Sequence, residues 1–123
     1  MTFGTYDGVV ANASTALEAM AAIVSTCTSG AAAIITINAG ASAGSDSADA
    51  PARRMTAGEG NYLAYQVYSD VGRSTVWGNT SPTGVALTGT GDPQTLTAYG
   101  SVTASQLAAP GVYNDQLTVT ITY

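Results

Sequence analysis

The amino-acid sequence predicts an all-β fold, a sandwich or barrel built from short strands. Short runs of alternating apolar and polar residues recur along the chain, separated by Gly, Pro, Asn and Asp. Charged residues make up only 9% of the chain, against about 25% in a typical globular protein. Thr, Ser, Val, Ile and Tyr take their place, and these residues suit pleated, half-buried strands. The 123 residues fit one domain with a single core, residues 1–123.

The first element is ambiguous between a helix and a strand. Leu17, Met20, Ala21 and Val24 follow helical spacing, and Ser14 could cap a helix there. The continuation to Thr28 is rich in β-branched residues, however, and an all-β neighbourhood can override local propensity. We therefore predict a strand over Ala19 to Thr28.

The middle of the chain predicts four further strands and two loops. The strongest strand carries bulky residues on both faces, as a central strand does. The predicted strands are Ile34 to Asn38, Asn61 to Ser69, Ser74 to Trp77, and Gln94 to Val102. The predicted loops are Ala39 to Pro51, which is small and polar, and Gly78 to Pro93, which is rich in Gly and Pro.

The last strand has the most regular pattern. Leu117, Val119, Ile121 and Tyr123 fall on one face, and the residues between them, Gln or Thr, fall on the other. No later strand follows to cover the edge of this one. An uncovered edge of this kind invites a strand from another chain.

The composition argues against several classes of function. Three arginines and a net charge of -5 give no basic patch for nucleic acid, and no apolar run approaches the length of a membrane span. Without His, with one Cys and without paired carboxylates, the sequence predicts neither catalysis nor a cofactor. Asp46 and Asp49 resemble a calcium loop only faintly, so no metal site is predicted.

Two groups of side chains are given structural interpretations. Arg53 and Arg54 could bind an anion, but a solvated strand start or a cross-strand partner for a carboxylate is favoured. The aromatic residues could stack on sugars, but their period of 2 favours the core. These residues are Tyr62, Tyr65, Tyr68 and Trp77. The lone Cys27 could lack its partner, form an intermolecular bond or be a buried apolar residue.

Three stretches in order along the chain resemble the spore coat protein U family, to which the archaic, Csu-type chaperone-usher pilins belong. The first has an FG-x-Y pattern, the second has R-x-M, L-x-Y-x-V-Y-x-D and VWG patterns, and the third has a YG pair and a G-x-Y-x-D-x-L-T-V-T-I-x-Y ending. They run from Phe3 to Tyr6 with Thr26 to Thr28, from Arg54 to Gly78, and from Tyr99 to Tyr123.

The resemblance implies an incomplete immunoglobulin-like β-sandwich that a donor strand from another subunit completes. The acceptor groove would be walled by Asp115, Leu117, Val119, Ile121 and Tyr123. The implied partners are neighbouring subunits of a homopolymer, a periplasmic chaperone and an outer-membrane usher, with the product an extracellular pilus. Family members carry a donor strand and a first cysteine ahead of the FG-x-Y segment, so Cys27 would be half of a structural disulfide and the chain would be shortened at Met1.

The resulting hypothesis is a non-enzymatic structural subunit of an adhesive surface pilus. A tip adhesin is the first alternative, binding a surface or carbohydrate through Ala39 to Pro51 or Gly78 to Pro93. The small polar residues of these loops favour the shaft over the tip. A spore or envelope coat protein is the other alternative, since it would use the same fold. An isolated subunit is expected to be marginally stable, because its last strand leaves large aliphatic side chains uncovered.

Overall fold

Seven strands lie in the described part of the computed structural model, which covers residues 1–44, 51–58 and 60–123. They form a four-stranded sheet of order β1-β6-β4-β3 and a three-stranded sheet of order β5-β2-β7. All named pairings are antiparallel. The strands are β1 Leu17–Thr26, β2 Ala32–Ile37, β3 Arg54–Gly58, β4 Asn61–Tyr68, β5 Val85–Thr88, β6 Pro93–Val102 and β7 Val119–Thr122. The predicted all-β fold is confirmed.

The core lies between the two sheets because one face of each inner strand is apolar. In β2 the inward residues Ala33, Ile35 and Ile37 are at most 3% exposed. β4 and β6 contribute Leu63, Tyr65, Val67, Ala98 and Val102 to the same cluster. The alternation seen in the sequence therefore positions these side chains, as a period of 2 requires.

Arg53 forms a buried hydrogen-bonded node just before β3. Its side chain, 1% exposed, donates to the carbonyl oxygens of Ile37 (2.9 Å), Asn38 (3.0 Å) and Trp77 (2.7 Å), and also to Gln66 Oε1. Burial lowers the pKa of Arg53 to about 10, against the opposing influence of Tyr65 and Asp115. The guanidinium stays charged at neutral pH, and its donors link β2, β4 and the Trp77 segment.

Trp77 is the largest fully buried side chain, and hydrogen bonds to β2 and β4 hold it in place. Its indole Nε1 donates to the carbonyl oxygen of Ile35 at 2.8 Å, and its backbone nitrogen donates to Val67 at 3.0 Å. A buried indole needs such a partner, since its unpaired N–H would cost free energy.

Several expectations are confirmed. The ambiguous first element is strand β1, at Leu17–Thr26, and not a helix. β4 at Asn61–Tyr68 lies between β6 and β3, as its two bulky faces predict. Tyr65 and Trp77 are core residues, 7% and 1% exposed.

One predicted strand and one predicted loop are wrong. Ser74 to Trp77 is not a strand, because only the bridge between Tyr68 and Val76 pairs it with β4. The predicted loop from Gly78 to Pro93 contains a 3-10 helix, Ser81–Thr83, and strand β5. β5 escaped prediction because it is only four residues long and flanked by Gly84 and Gly89.

The arginine pair and one aromatic residue also need correction. Arg53 is buried and not solvated, and Arg54 begins β3. Arg54 lies over the ring of Tyr62 at 3.8 Å, and its donors bond the carbonyl oxygens of Ser42 and Ala43. Tyr62 is 42% exposed and lies outside the core. Arg53 and Arg54 therefore have structural roles that the Arg-Arg-Met motif alone does not show.

Candidate functional site

A cavity of about 270 Å³ lies between the two sheets and is open to the surface. Edge strand β1 contributes Ala21 and Ile23, and edge strand β7 contributes Val119. We call this cavity the groove. The rest of its lining comes from inner strands, from the N-terminal residues and from the segment that precedes β7: Met1, Phe3, Ile37, Met55, Tyr65, Val67, Ala98, Tyr113, Asn114, Asp115 and Leu117.

The predicted acceptor residues divide into two groups. Asp115, Leu117 and Val119 line the groove together. Ile121 lies further along β7 on the same face as Val119 and is 36% exposed. Tyr123 follows the end of β7, is 88% exposed, and lines a separate hollow with Ala32 and Ala86. The groove itself therefore contains three of the five predicted residues.

Strand β7 is shorter than the sequence pattern predicts. It covers Val119–Thr122, and the preceding residues are held by single hydrogen bonds instead of a ladder. Asn38 N donates to the Thr118 carbonyl at 3.0 Å, Thr118 N donates to Asn38 Oδ1 at 2.8 Å, and Ala41 N donates to the Gln116 carbonyl at 3.1 Å. Leu117 and Asp115 are thus positioned by the segment that follows β2.

The outer edge of β7 is unpaired within the described residues. β2 pairs with its other edge, where Ile35 lies opposite Ile121 and Ile37 lies opposite Val119. All four residues of β7 are exposed, including Val119 at 42%. An edge with free backbone donors and acceptors and an uncovered apolar face is a template for a further strand.

Asp115 is a polar residue of the groove. The Tyr65 hydroxyl donates to Asp115 Oδ2 at 2.6 Å, and Ser42 N donates to Asp115 Oδ1 at 3.2 Å. Burial, followed by the hydrogen bond to Asp115, raises the pKa of Tyr65 well above its usual value. The tyrosine is therefore a neutral donor that holds the carboxylate against the groove wall.

The N-terminal residues form a part of the groove that residue patterns missed. Phe3 packs edge-on against Tyr65, with ring centroids 6.0 Å apart. Gly100 lies beneath it, and a Cβ at that position would come within 2.7 Å of Phe3 Cζ. The segment around Phe3 looks strand-like in the sequence but forms no strand, and only the resemblance of the FG-x-Y segment singles out Phe3 itself.

Cys27 lies directly after β1 and is half-buried with a free thiol. Gly91 N donates to its carbonyl oxygen at 2.9 Å, and a Cβ on Gly89 would come within 2.8 Å of Cys27 Cβ. The disulfide implied by the resemblance stays a prediction, since the chain has no second cysteine.

Metal binding finds no support in the described residues, where no group of three or more His, Cys, Asp or Glu side chains comes together. Asp46 and Asp49 lie outside those residues. In the same part of the chain, no helix has the length and apolarity that crossing a membrane requires.

The family model of the spore coat protein U domain matches residues 1–120. The chain belongs to this family. Protein U of Myxococcus xanthus, a relative of this spore coat U domain, is 40% identical over 128 residues, which cover the whole chain and 71% of that protein. The family membership inferred from the three sequence stretches is confirmed.

A solved structure shares the fold of this spore coat U domain. It is the pre-assembly complex of the chaperone CsuC with the tip adhesion subunit CsuE, from the archaic chaperone-usher Csu pili of Acinetobacter baumannii. The TM-score is 0.63 at 16% identity, over 86% of this chain and 33% of that one. The chain thus spans about a third of the matched chain's length. The likeness confirms the predicted incomplete two-sheet sandwich.

Proposed function

We propose that this spore coat U domain is a non-catalytic structural subunit of an extracellular pilus, and that it polymerises by accepting a donor strand from a neighbouring subunit. The observation that carries the proposal is the open edge of β7. Val119 and Ile121 face inward, opposite buried Ile37 and Ile35, yet remain 42% and 36% exposed. A strand added at this edge would cover both side chains and pair with free backbone groups.

The groove fits a strand whose side chains alternate. Its lining is mainly apolar and includes Ala21, Ile23, Leu117 and Val119. Apolar side chains on one face of an incoming strand would enter the groove, and the other face would point to solvent. Asp115 and Asn114 add polar groups at the wall.

The proposed partners are proteins that would act on the open edge of β7. Neighbouring subunits supply the donor strand in the fibre, and a periplasmic chaperone covers the groove before assembly at an outer-membrane usher. The solved complex supports this assignment, because it is a pre-assembly complex of a chaperone with a pilus tip subunit. The protein would then pass through the periplasm to the cell surface.

Strand acceptance can be tested on the isolated chain with a synthetic peptide. The peptide has about eight residues, the length of an ordinary strand, alternates valine with threonine and ends in lysine for solubility. At about 100 times its dissociation constant it should raise the thermal midpoint by roughly 10 °C. Calorimetry measures the midpoint, and a scrambled peptide of the same composition should leave it unchanged.

Two matched variants locate the binding site. Val119→Thr keeps the shape of an inward side chain but makes it polar, and should weaken peptide binding. Thr120→Val makes the reverse change on the outward face and should leave binding unaffected. Strand acceptance would be wrong if the peptide failed to raise the midpoint, or if the two variants bound it equally.

A coat protein of a spore or envelope is a second candidate. The family description and the 40% identity to Protein U of Myxococcus xanthus favour it. Electron microscopy of the native material separates the two candidates, since a pilus subunit forms filaments and a coat protein forms a continuous layer.

A position at the pilus tip is less well supported, because the described residues of the two loops expected to bind a surface lack the exposed large apolar side chains that such binding would use. Among the described residues of Ala39 to Pro51 and Gly78 to Pro93, none is an exposed large apolar side chain. Val9, Val10 and Leu107 are exposed instead, in two loops joined by a hydrogen bond from Ser105 N to the Asn12 carbonyl at 2.9 Å. A tip role would use these loops.

A further inference from the structure

The N-terminal residues Met1 to Phe3 occupy one end of the groove in the manner of a short strand. Met1 and Phe3 both line the groove, whereas Thr2 between them is exposed. Both side chains reach Gly100 of β6, where an added Cβ would collide with Met1 Sδ and with the Phe3 ring. Gly100 shares a face of β6 with Ala98, which lines the groove. The segment therefore covers a part of the inner sheet face that would otherwise extend the groove.

Side chains hold this segment in place, and its backbone is unpaired. Within the described residues, no hydrogen bond joins the backbone of residues 1–6 to another backbone group. Phe3 packs edge-on against Tyr65. The Tyr6 hydroxyl donates to the Thr103 carbonyl at 2.6 Å and accepts from Gln106 N at 2.9 Å. A strand that enters the groove would gain the backbone hydrogen bonds to β7 that this segment lacks.

Gly4 provides a hinge between the anchored Tyr6 and the inserted Phe3. Its φ is +84°, a left-handed conformation that residues with a Cβ adopt only at a cost in free energy. No atom lies within 4 Å of the position that a Cβ on Gly4 would take. Rotation at Gly4 can therefore move Met1 to Phe3 out of the groove while the Tyr6 hydroxyl keeps its hydrogen bonds.

We propose that Met1 to Phe3 form an internal plug of the groove, which an incoming strand displaces by rotation about Gly4. This inference rests on the proposed strand acceptance. The plug and the incoming strand compete for the same apolar surface, so a strand enters only if its own contacts outweigh those of Met1 and Phe3. The plug would thus exclude strands that are short or that alternate poorly.

Gly4→Ala tests the hinge, because it strains the plugged conformation and leaves the displaced one unstrained. Affinity for the alternating valine–threonine peptide should rise about 5-fold, the equivalent of one left-handed residue with a Cβ. Titration calorimetry measures the affinity. Gly30→Ala is the matched control, since Gly30 has a φ of +82° and equally open surroundings but lies in the turn between β1 and β2. Equal affinities of the two variants would overturn displacement about Gly4.

Phe3→Ala distinguishes a plug from a permanent wall of the groove. The free chain should have a lower thermal midpoint, because Phe3 packs against Tyr65. Affinity for the peptide should nevertheless rise at least as much as in Gly4→Ala. A permanent wall would lose both stability and affinity, and this result would overturn the plug. Leu107→Ala, which removes an 85% exposed apolar side chain outside the groove lining, should change neither quantity.

Displacement of the plug can also be observed directly by NMR. The rings of Phe3 and Tyr65, with centroids 6.0 Å apart, should show a nuclear Overhauser contact in the free wild-type chain. The contact should disappear when the peptide is bound at saturation. Its persistence in the bound chain would show that Phe3 stays in the groove and that the plug is wrong.

Failure of the inference and failure of strand acceptance give different results. If the wild-type chain binds the peptide and neither Gly4→Ala nor Phe3→Ala binds it more tightly, the plug is wrong and strand acceptance stands. If neither the wild-type chain nor any variant binds the peptide, strand acceptance is wrong and the plug falls with it.

Discussion

Ile35 and Ile121 are the same residue type, lie directly opposite each other across β2 and β7, and face the same interior. Ile35 is fully buried at 0% exposure, whereas Ile121 is 36% exposed. β2 has a neighbour on both sides, and β7 has one on a single side within the described residues. The difference in burial thus arises from one absent neighbour and not from the side chains themselves.

The two residues represent two regions of the molecule. The closed region surrounds Ile35, Arg53 and Trp77, where polar groups are bonded to one another and side chains are fully buried. The open region surrounds the groove and β7. Stability of the isolated chain should come mainly from the closed region, and the open region should contribute when a strand is bound.

Arg53→Ala should have the largest effect on the closed region. The substitution leaves the buried carbonyl oxygens of Ile37, Asn38 and Trp77 without this donor. Loss of one member of such a buried network costs about 3–5 kcal/mol of unfolding free energy. Urea denaturation measures it.

Arg54→Ala is the matched control for that experiment. Arg54 is half-buried and holds the loop at Ser42 and Ala43, so its loss should cost about 1 kcal/mol. Equal effects of the two substitutions would contradict the assignment of Arg53 as the node of the closed region.

The sequence predicts the alternating side chains of β7 better than the buried arginine of the closed region. Val119 and Ile121 are recognisable because each alternates with exposed threonines, and period 2 assigns both to one face. Arg53 gives no such signal. Its burial depends on carbonyls contributed by Ile37, Asn38 and Trp77, which are distant in sequence and meet only in the folded chain.

Ile35→Ala and Ile121→Ala test the comparison with an identical change. The cost at Ile35 should be about 2–5 kcal/mol, since a cavity forms in a packed core. The cost at Ile121 in the free chain should be below about 1 kcal/mol, because its side chain is already partly solvated. Urea denaturation compares the two variants.

Adding the alternating valine–threonine peptide should then reduce the difference between the variants. A bound strand covers Ile121, so truncation of this side chain should also cost binding energy. If Ile121→Ala destabilised the free chain as much as Ile35→Ala, the division into closed and open regions would be wrong.

The sequence also fails to predict the placement of Phe3 and the strand β5, because both depend on contacts between residues far apart in the chain. Phe3 lies in the groove because Gly100 leaves room beneath it and Tyr65 packs against it. β5 is a strand because Val85 and Leu87 pair with β2, although its flanking glycines are typical of a loop. Neither contact can be inferred from spacing along the chain.

Asp70→Asn should have the smallest effect on the free energy of unfolding. Asp70 lies at the turn that leads from β4 to Trp77 in the closed region. Its carboxylate accepts from the Ser74 hydroxyl at 2.6 Å and from Thr75 N at 2.9 Å. The Ser74 hydroxyl, followed by these backbone donors, lowers the pKa of Asp70 below its usual value of 3.8. The unfolded chain therefore binds the proton more tightly than the folded chain.

The stability contribution of Asp70 is present above pH 3.8 and is lost as pH falls through the lowered folded-state pKa. Asp70→Asn lacks this carboxylate, so the difference in unfolding free energy between wild type and variant should shrink as pH falls from about 5 to 2. Because the carboxylate is exposed, the change should be small. A difference that stayed constant over this range would show that the turn is held by hydrogen bonds independent of the charge.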